Sequence, residues 1–230
     1  MTGIVQRHDH RFIYVNLGRV EALLPANEQM PNETYNQNDR IKVYITKVEK
    51  TTKGPQVMVS RTHPGLLKRL FELEVPEIYD GTVEIKSIAR EAGDRSKIAV
   101  YAENPEIDAV GSCVGQKGQR VQAVVDELKG EKIDIVHWSE DPVEYVANAL
   151  SPSKVLHVDV NEEEKMTTVV VPDYQLSLAI GKRGQNARLA AKLTGWKIDI
   201  KSESDAIELG LYNPKDDESI ESTEDSEDER

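Results

Sequence analysis

In 230 residues the sequence has one cysteine, two phenylalanines and two tryptophans, and nowhere an uninterrupted apolar run of 18 residues. With Cys113 alone no intramolecular disulfide can form, which fits a reducing compartment. Without a long apolar run there is no candidate membrane-spanning helix. Met1-Thr2-Gly3-Ile4-Val5 enters a strand-like pattern at once, with no signal-peptide build. A soluble, cytoplasmic protein with no membrane partner is expected. Catalytic constellations are also missing. Ser112, Ser139 and Ser177 stand in no nucleophile-elbow context. His8-Asp9-His10 has no third or fourth ligand at metal spacing, and His63, His137 and His157 are scattered. No enzyme, metal or cofactor is expected.

The net charge of −12 argues at first against a polyanionic ligand, but the charge is uneven. Residues 206–230 hold ten acids and two bases. This tail has too little apolar surface to offset its ordering entropy, so disorder is predicted there. Within the body, Tyr174 to Ile198 contains no acid but five bases: Lys182, Arg183, Arg188, Lys192 and Lys197. Ala109 to Val125 also lacks acids and carries Lys117 and Arg120.

Residues 1–62 read as all-β. Arg11-Phe12-Ile13-Tyr14-Val15-Asn16-Leu17-Gly18 alternates with period two, as do Ile41–Ile45 and Val57–Val59, with breaks at Gly18, Pro25, Pro31 and Gly54-Pro55. Several short strands in this length predict a small barrel of the OB type. Over 63–138 the order becomes helix (from Pro64), strand (Thr82–Ile88), strand (Lys97–Tyr101), two short helices and a strand (Lys132–Val136). Residues 139–205 repeat it: a helix opened by Asp141-Pro142, strands at Val155–Val160 and Thr167–Val171, two helical stretches and a strand at Lys197–Ile200. Gly130-Glu-Lys-Ile-Asp-Ile135 pairs with Gly195-Trp-Lys-Ile-Asp-Ile200, and Val114-Gly-Gln-Lys-Gly-Gln119 with Ile180-Gly-Lys-Arg-Gly-Gln185. The fold class is therefore α+β multi-domain.

The repeated loops Gly115-Gln116-Lys117-Gly118 and Gly181-Lys182-Arg183-Gly184 join two helices. Glycine allows a tight reversal and close approach of another backbone. The following helix N-terminus offers free N–H groups and partial positive charge, which suit phosphate. The middle residues set the local field, and apolar Val110, Val114, Leu176 and Ile180 are candidates to floor a groove for bases. Neither loop has P-loop spacing, and neither follows a strand as a dinucleotide fingerprint would. Candidate RNA contacts extend to Arg120, Gln185, Asn186, Arg188 and Lys192, and on the barrel to Phe12, Tyr14 and Arg61, with Arg11 and Tyr44 beside them. Exposed rings on an OB face can stack bases. A hairpin tip carrying Arg90, Arg95 and Lys97 is a weaker phosphate candidate. Trp196 and Cys113 read as packing residues.

Both repeats resemble KH domains of the bacterial type (type II), whose Gly-x-x-Gly loop clamps about four nucleotides, and the barrel resembles an S1 domain. The order S1, KH, KH resembles the bacterial NusA family of transcription elongation and termination factors. That resemblance is carried by Ser60–Leu70, Arg90–Lys97 and Val171–Ala191 and covers residues 3–212. It implies single-stranded nascent RNA as ligand, and RNA polymerase and other Nus-type factors as partners of a monomeric protein. The family also carries an N-terminal polymerase-docking domain, whereas this chain opens at the first barrel strand, so the RNA-binding half is what it is expected to represent. Polynucleotide phosphorylase also combines KH and S1 units, but in the opposite order after a large catalytic core. A ribosome-associated KH scaffold is the other alternative.

Overall fold

A computed structural model describes residues 1–215, which form two compact units, Met1–Trp138 and Ser139 onward. Among the described residues no helix is long and apolar enough to cross a membrane.

The first unit opens with six strands: β1 (Thr2–His8), β2 (Phe12–Asn16), β3 (Glu21–Pro25), β4 (Arg40–Lys42), β5 (Tyr44–Thr51) and β6 (Gly54–Ser60). Their order in the sheet is β4-β1-β2-β3-β6-β5. β4 and β5 lie at opposite ends of that order, yet only Val43 separates them in sequence. One bent strand thus closes the sheet into a barrel, which removes the exposed edges. The period-two alternation sends Val5, Ile13, Val15, Ala22, Leu24, Val57 and Val59 into the core. Phe12 and Tyr14 stand on the opposite, half-buried face.

The rest of the first unit is α1 (Pro64–Glu74), α2 (Pro76–Tyr79), β7 (Glu84–Glu91), β8 (Arg95–Tyr101), α3 (Ala109–Val114), α4 (Gln119–Glu127) and β9 (Lys132–His137). β8 is the central strand, antiparallel to β7 and parallel to β9. Leu66, Leu67, Leu70 and Phe71 of α1 pack on Ile98 and Val100 of β8 and on Val124 and Leu128 beside α4. Pro64 occupies the first turn of α1, where its missing N–H costs nothing.

The second unit repeats this plan with α5 (Pro142–Ala149), β10 (His157–Asn161), β11 (Met166–Val171), α6 (Leu176–Ile180), α7 (Gln185–Thr194) and β12 (Lys197–Ser202). Its sheet runs β10-β11-β12, with β11 and β12 parallel. One expectation needs correction here. Composition places the start of the disordered tail at 206, but residues 206–208 complete α8 (Glu203–Glu208). Ser202 caps this helix through the Asp205 N–H at 3.1 Å, and Ala206 is buried beneath it. The tail's remaining acids from 216 onward lie outside the described residues.

Candidate nucleic-acid interface

Each glycine loop reverses the chain with three positive φ angles in four residues. Gly115 and Gly181 sit at φ 76°, ψ 171° and φ 78°, ψ 169°, a region that only glycine enters readily. A Cβ at Gly181 would also lie 2.7 Å from the Asn186 backbone nitrogen. Gly118 and Gly184 are left-handed, with little or nothing near a hypothetical Cβ, so their outer sides are open to an approaching backbone. Lys117 and Arg183 are left-handed as well, at φ 54° and 55°. For a non-glycine residue this costs about 1–2 kcal/mol, and it turns both cations outward at the tip.

The helices that follow are open at their N-termini. Among the helices of eight or more residues, α1 is capped by His63 and α5 by Asp141, whereas no side chain caps α4 or α7. The Gln119 and Gln185 N–H groups that open them turn back to the Gln116 and Lys182 carbonyls, so what these N-termini offer a ligand anion is their uncapped partial positive charge. Lys182, Arg183 and Lys192 are exposed and make no ion pair among the described residues, and the same holds for Lys117.

Several residues expected to touch RNA do something else. Arg61 is 1% exposed. Its guanidinium is engaged by Glu33, by the Lys42 carbonyl at 2.7 Å and by Glu127 at 3.2 Å. A charge so buried survives only when paired, so Arg61 is not available to a ligand. Asn186, 4% exposed, donates its amide to the carbonyls of Leu150 (3.0 Å) and Ala179 (2.9 Å). Arg120, at the matching place after the first loop, donates to the Ser112 carbonyl (2.7 Å) and to Glu77 (2.8 Å). Both side chains therefore tie the helix after the loop to the helix before it. Arg90, Arg95 and Lys97 do not form a cationic tip either. Arg90 pairs with Glu131 in full burial, and Arg95 and Lys97 converge on Asp134 at 2.8 and 3.0 Å. Burial opposes ionisation of Asp134, but the hydrogen bonds from Arg95 and Lys97 outweigh it and hold the carboxyl below its usual value. Along the sequence these partners lie 37 to 41 residues apart, and the pairing of β8 with β9 brings Glu131 and Asp134 to them.

Comparison with known proteins agrees with this architecture. A model of the S1 RNA binding domain matches residues 1–60, one of the NusA-like first KH domain matches 61–138, and one of the NusA-like second KH domain matches 142–208. The chain is similar to proteins named transcription termination/antitermination protein NusA. Identity is 84% to that of Halalkalibacterium halodurans and 82% to that of Bacillus subtilis, each over 92% of this chain, and 54% to that of Thermus thermophilus over 87%. The chain belongs to the NusA family. It spans about half the length of these relatives, 55%, 57% and 52% respectively, and corresponds to their S1-KH-KH portion.

In NusA-family terms, the first KH unit holds the Gln116-Lys117 loop and the second the Lys182-Arg183 loop. On the S1 barrel, Tyr14 is only partly free. Arg7 lies 3.7 Å from its ring centroid, and its hydroxyl donates to Asp9 at 2.6 Å. That bond and the N–H groups of Arg11 and Phe12 bring Asp9 down to about 2, so His8-Asp9-His10 is an aspartate-organised hairpin turn. Tyr44 stacks on His63 at 4.7 Å, which takes one of its faces. Cys113 is fully buried and its thiol is pushed up to about 12 by that burial, and Lys165 sits 4.5 Å over the Trp196 ring.

Proposed function

We propose that this chain is the RNA-binding portion of a cytoplasmic transcription factor. In this reading it binds nascent single-stranded RNA and thereby modulates pausing, termination and antitermination by RNA polymerase, without catalysis of its own. The observation that carries the RNA reading is the pair of glycine loops with matching backbone angles, outward cations and uncapped helices behind them. The transcriptional role is supported by family membership and by the names of the relatives. RNA phosphates sit against the open sides of Gly118 and Gly184, the positive N-terminal ends of α4 and α7 and the charges of Lys117, Lys182 and Arg183. Gln116, Gln185, Arg188 and Lys192 extend the interface, and Phe12 with the uncovered part of Tyr14 offers a ring surface on the barrel. The glycines supply shape and the cations supply most of the affinity.

The test is RNA affinity as a function of salt. Lys182→Asp together with Arg183→Asp should weaken binding to a single-stranded oligonucleotide. It should also flatten the logarithmic salt slope by about 0.7 for each phosphate no longer neutralised. An unchanged slope would remove the second loop from the interface.

A further inference from the structure

Tyr174 is 80% exposed, and no hydrogen bond, ring contact or ion pair engages it within the described residues. It stands seven residues before Gly181, with Leu178, 46% exposed, between them. Tyr174 lies in the short 3-10 turn Asp173–Gln175, which leads directly into α6 and so into Gly181, with Leu178 on the helix between them. A lone exposed tyrosine is ordinary on a protein surface. This one differs in how its backbone is held. On one side, Asp173 accepts the Ser204 N–H at 3.0 Å and also the Ser204 hydroxyl. On the other, the Gln175 side chain accepts the Lys154 N–H. Both neighbours are tied down while the ring itself is left in solvent. The adjacent acid, Asp173, is occupied with Ser204.

The repeat supplies the contrast. At the places of Tyr174 and Leu178, the first unit has Asp108 and Ser112. Asp108 is spent capping α3 through the Gly111 N–H at 2.9 Å, and the Ser112 hydroxyl donates to the Asp108 carbonyl at 2.7 Å. No ring or apolar side chain stands at either of those places before the first loop.

We infer that Tyr174 is a base-stacking platform belonging to the second glycine loop alone, taking the face of an RNA base just beyond the phosphates held at Gly181–Gly184. This rests on the RNA reading above and adds a base contact to it. A π-face accepts any base, so the platform contributes affinity and register, with a preference for the better-stacking bases. Because the ring's backbone is already ordered, little freedom is lost on binding.

Binding of single-stranded RNA to the full chain, for Tyr174→Ala, Tyr174→Phe and the Lys182→Asp, Arg183→Asp double variant, tests this when combined with oligonucleotides abasic at each position in turn. Tyr174→Ala is expected to weaken binding between about fivefold and about a hundredfold, with the salt slope unchanged because every phosphate stays neutralised. Tyr174→Phe should bind nearly as the parent does. One abasic position should cost the parent as much as Tyr174→Ala does, and cost Tyr174→Ala nothing further. Unchanged affinity in Tyr174→Ala, beside a clear loss in the double variant, would overturn the platform and leave the loop. Full affinity in the double variant would overturn the loop reading, and the platform with it.

Discussion

At the three positive-φ positions of the two glycine loops the backbone angles agree within 4°, including the left-handed residue at the third position. The side chains around them share little. The first loop presents one cation; Arg120 behind it is held by Glu77, and elsewhere in that unit Arg90, Arg95 and Lys97 are held by Glu131 and Asp134. The second loop presents two adjacent cations with Lys192 on the helix behind them. The residue that locks the two helices differs too: charged Arg120 after the first loop, neutral Asn186 after the second. One backbone device thus serves two electrostatic settings. Shape is fixed by where the glycines stand, and strength by what the neighbouring acids leave over.

Charge reversal should separate the two loops most. Lys182→Asp with Arg183→Asp should cost RNA affinity roughly a hundredfold, while Lys117→Asp should cost clearly less. Equal losses, measured by titration at fixed salt, would make the loops electrostatic equals. Next comes shape. Gly181→Ala should destabilise the second unit by about 3 kcal/mol in chemical denaturation, because its backbone region is nearly closed to alanine and the new Cβ meets the Asn186 backbone. Gly184→Ala, with open space around it, should cost about 1 kcal/mol. A smaller effect has opposite signs in two assays. Arg183→Gly relieves the left-handed strain and should raise stability by about 0.5 kcal/mol while lowering RNA affinity. Lys117→Gly should give the same gain in stability with a smaller loss of binding. The smallest concerns acid. The Asp134 carboxyl titrates below its unfolded value. Its contribution is therefore complete above about pH 4 and is lost as pH falls through the folded value. Denaturant melts of the first unit at falling pH should show this loss, and Asp134→Asn should flatten that part of the profile.

Most of the architecture was legible because it rests on local rules. Period-two alternation marked the barrel strands, Pro64 and Asp141-Pro142 marked helix starts, and the repeat marked the second unit. Strand ends slipped by a few residues: β7 runs to Glu91, where alternation alone ends it at Ile88. The site was less legible, for a physical reason. A cation's sequence neighbours do not reveal which acid lies one strand or one domain away. Arg61, Arg90 and Lys97 look like surface bases along the chain, and folding brings each to a carboxylate far off in sequence. Asn186 misleads for a related reason, since the carbonyls it satisfies belong to other segments. Lys182 and Arg183 stay exposed, because a loop tip has no buried neighbours to claim them. The end of α8 is hidden because acidic composition outweighs a serine cap and one buried alanine.

The Arg61 cluster also bears on how this protein can be taken apart. Its guanidinium draws on Glu33 within the barrel and on Glu127 at the end of α4, and Arg90 reaches back to the His63 carbonyl at 2.9 Å. A sequence boundary near residue 62 therefore is not a seam. A barrel cut there, or grafted onto a foreign KH unit, would carry away an arginine whose second counter-charge stays on the other piece. Where partner carboxylates differ among relatives, the interchangeable part is the whole of Met1–Trp138, and recombination inside it should yield chains that fail to fold before they can fail to bind.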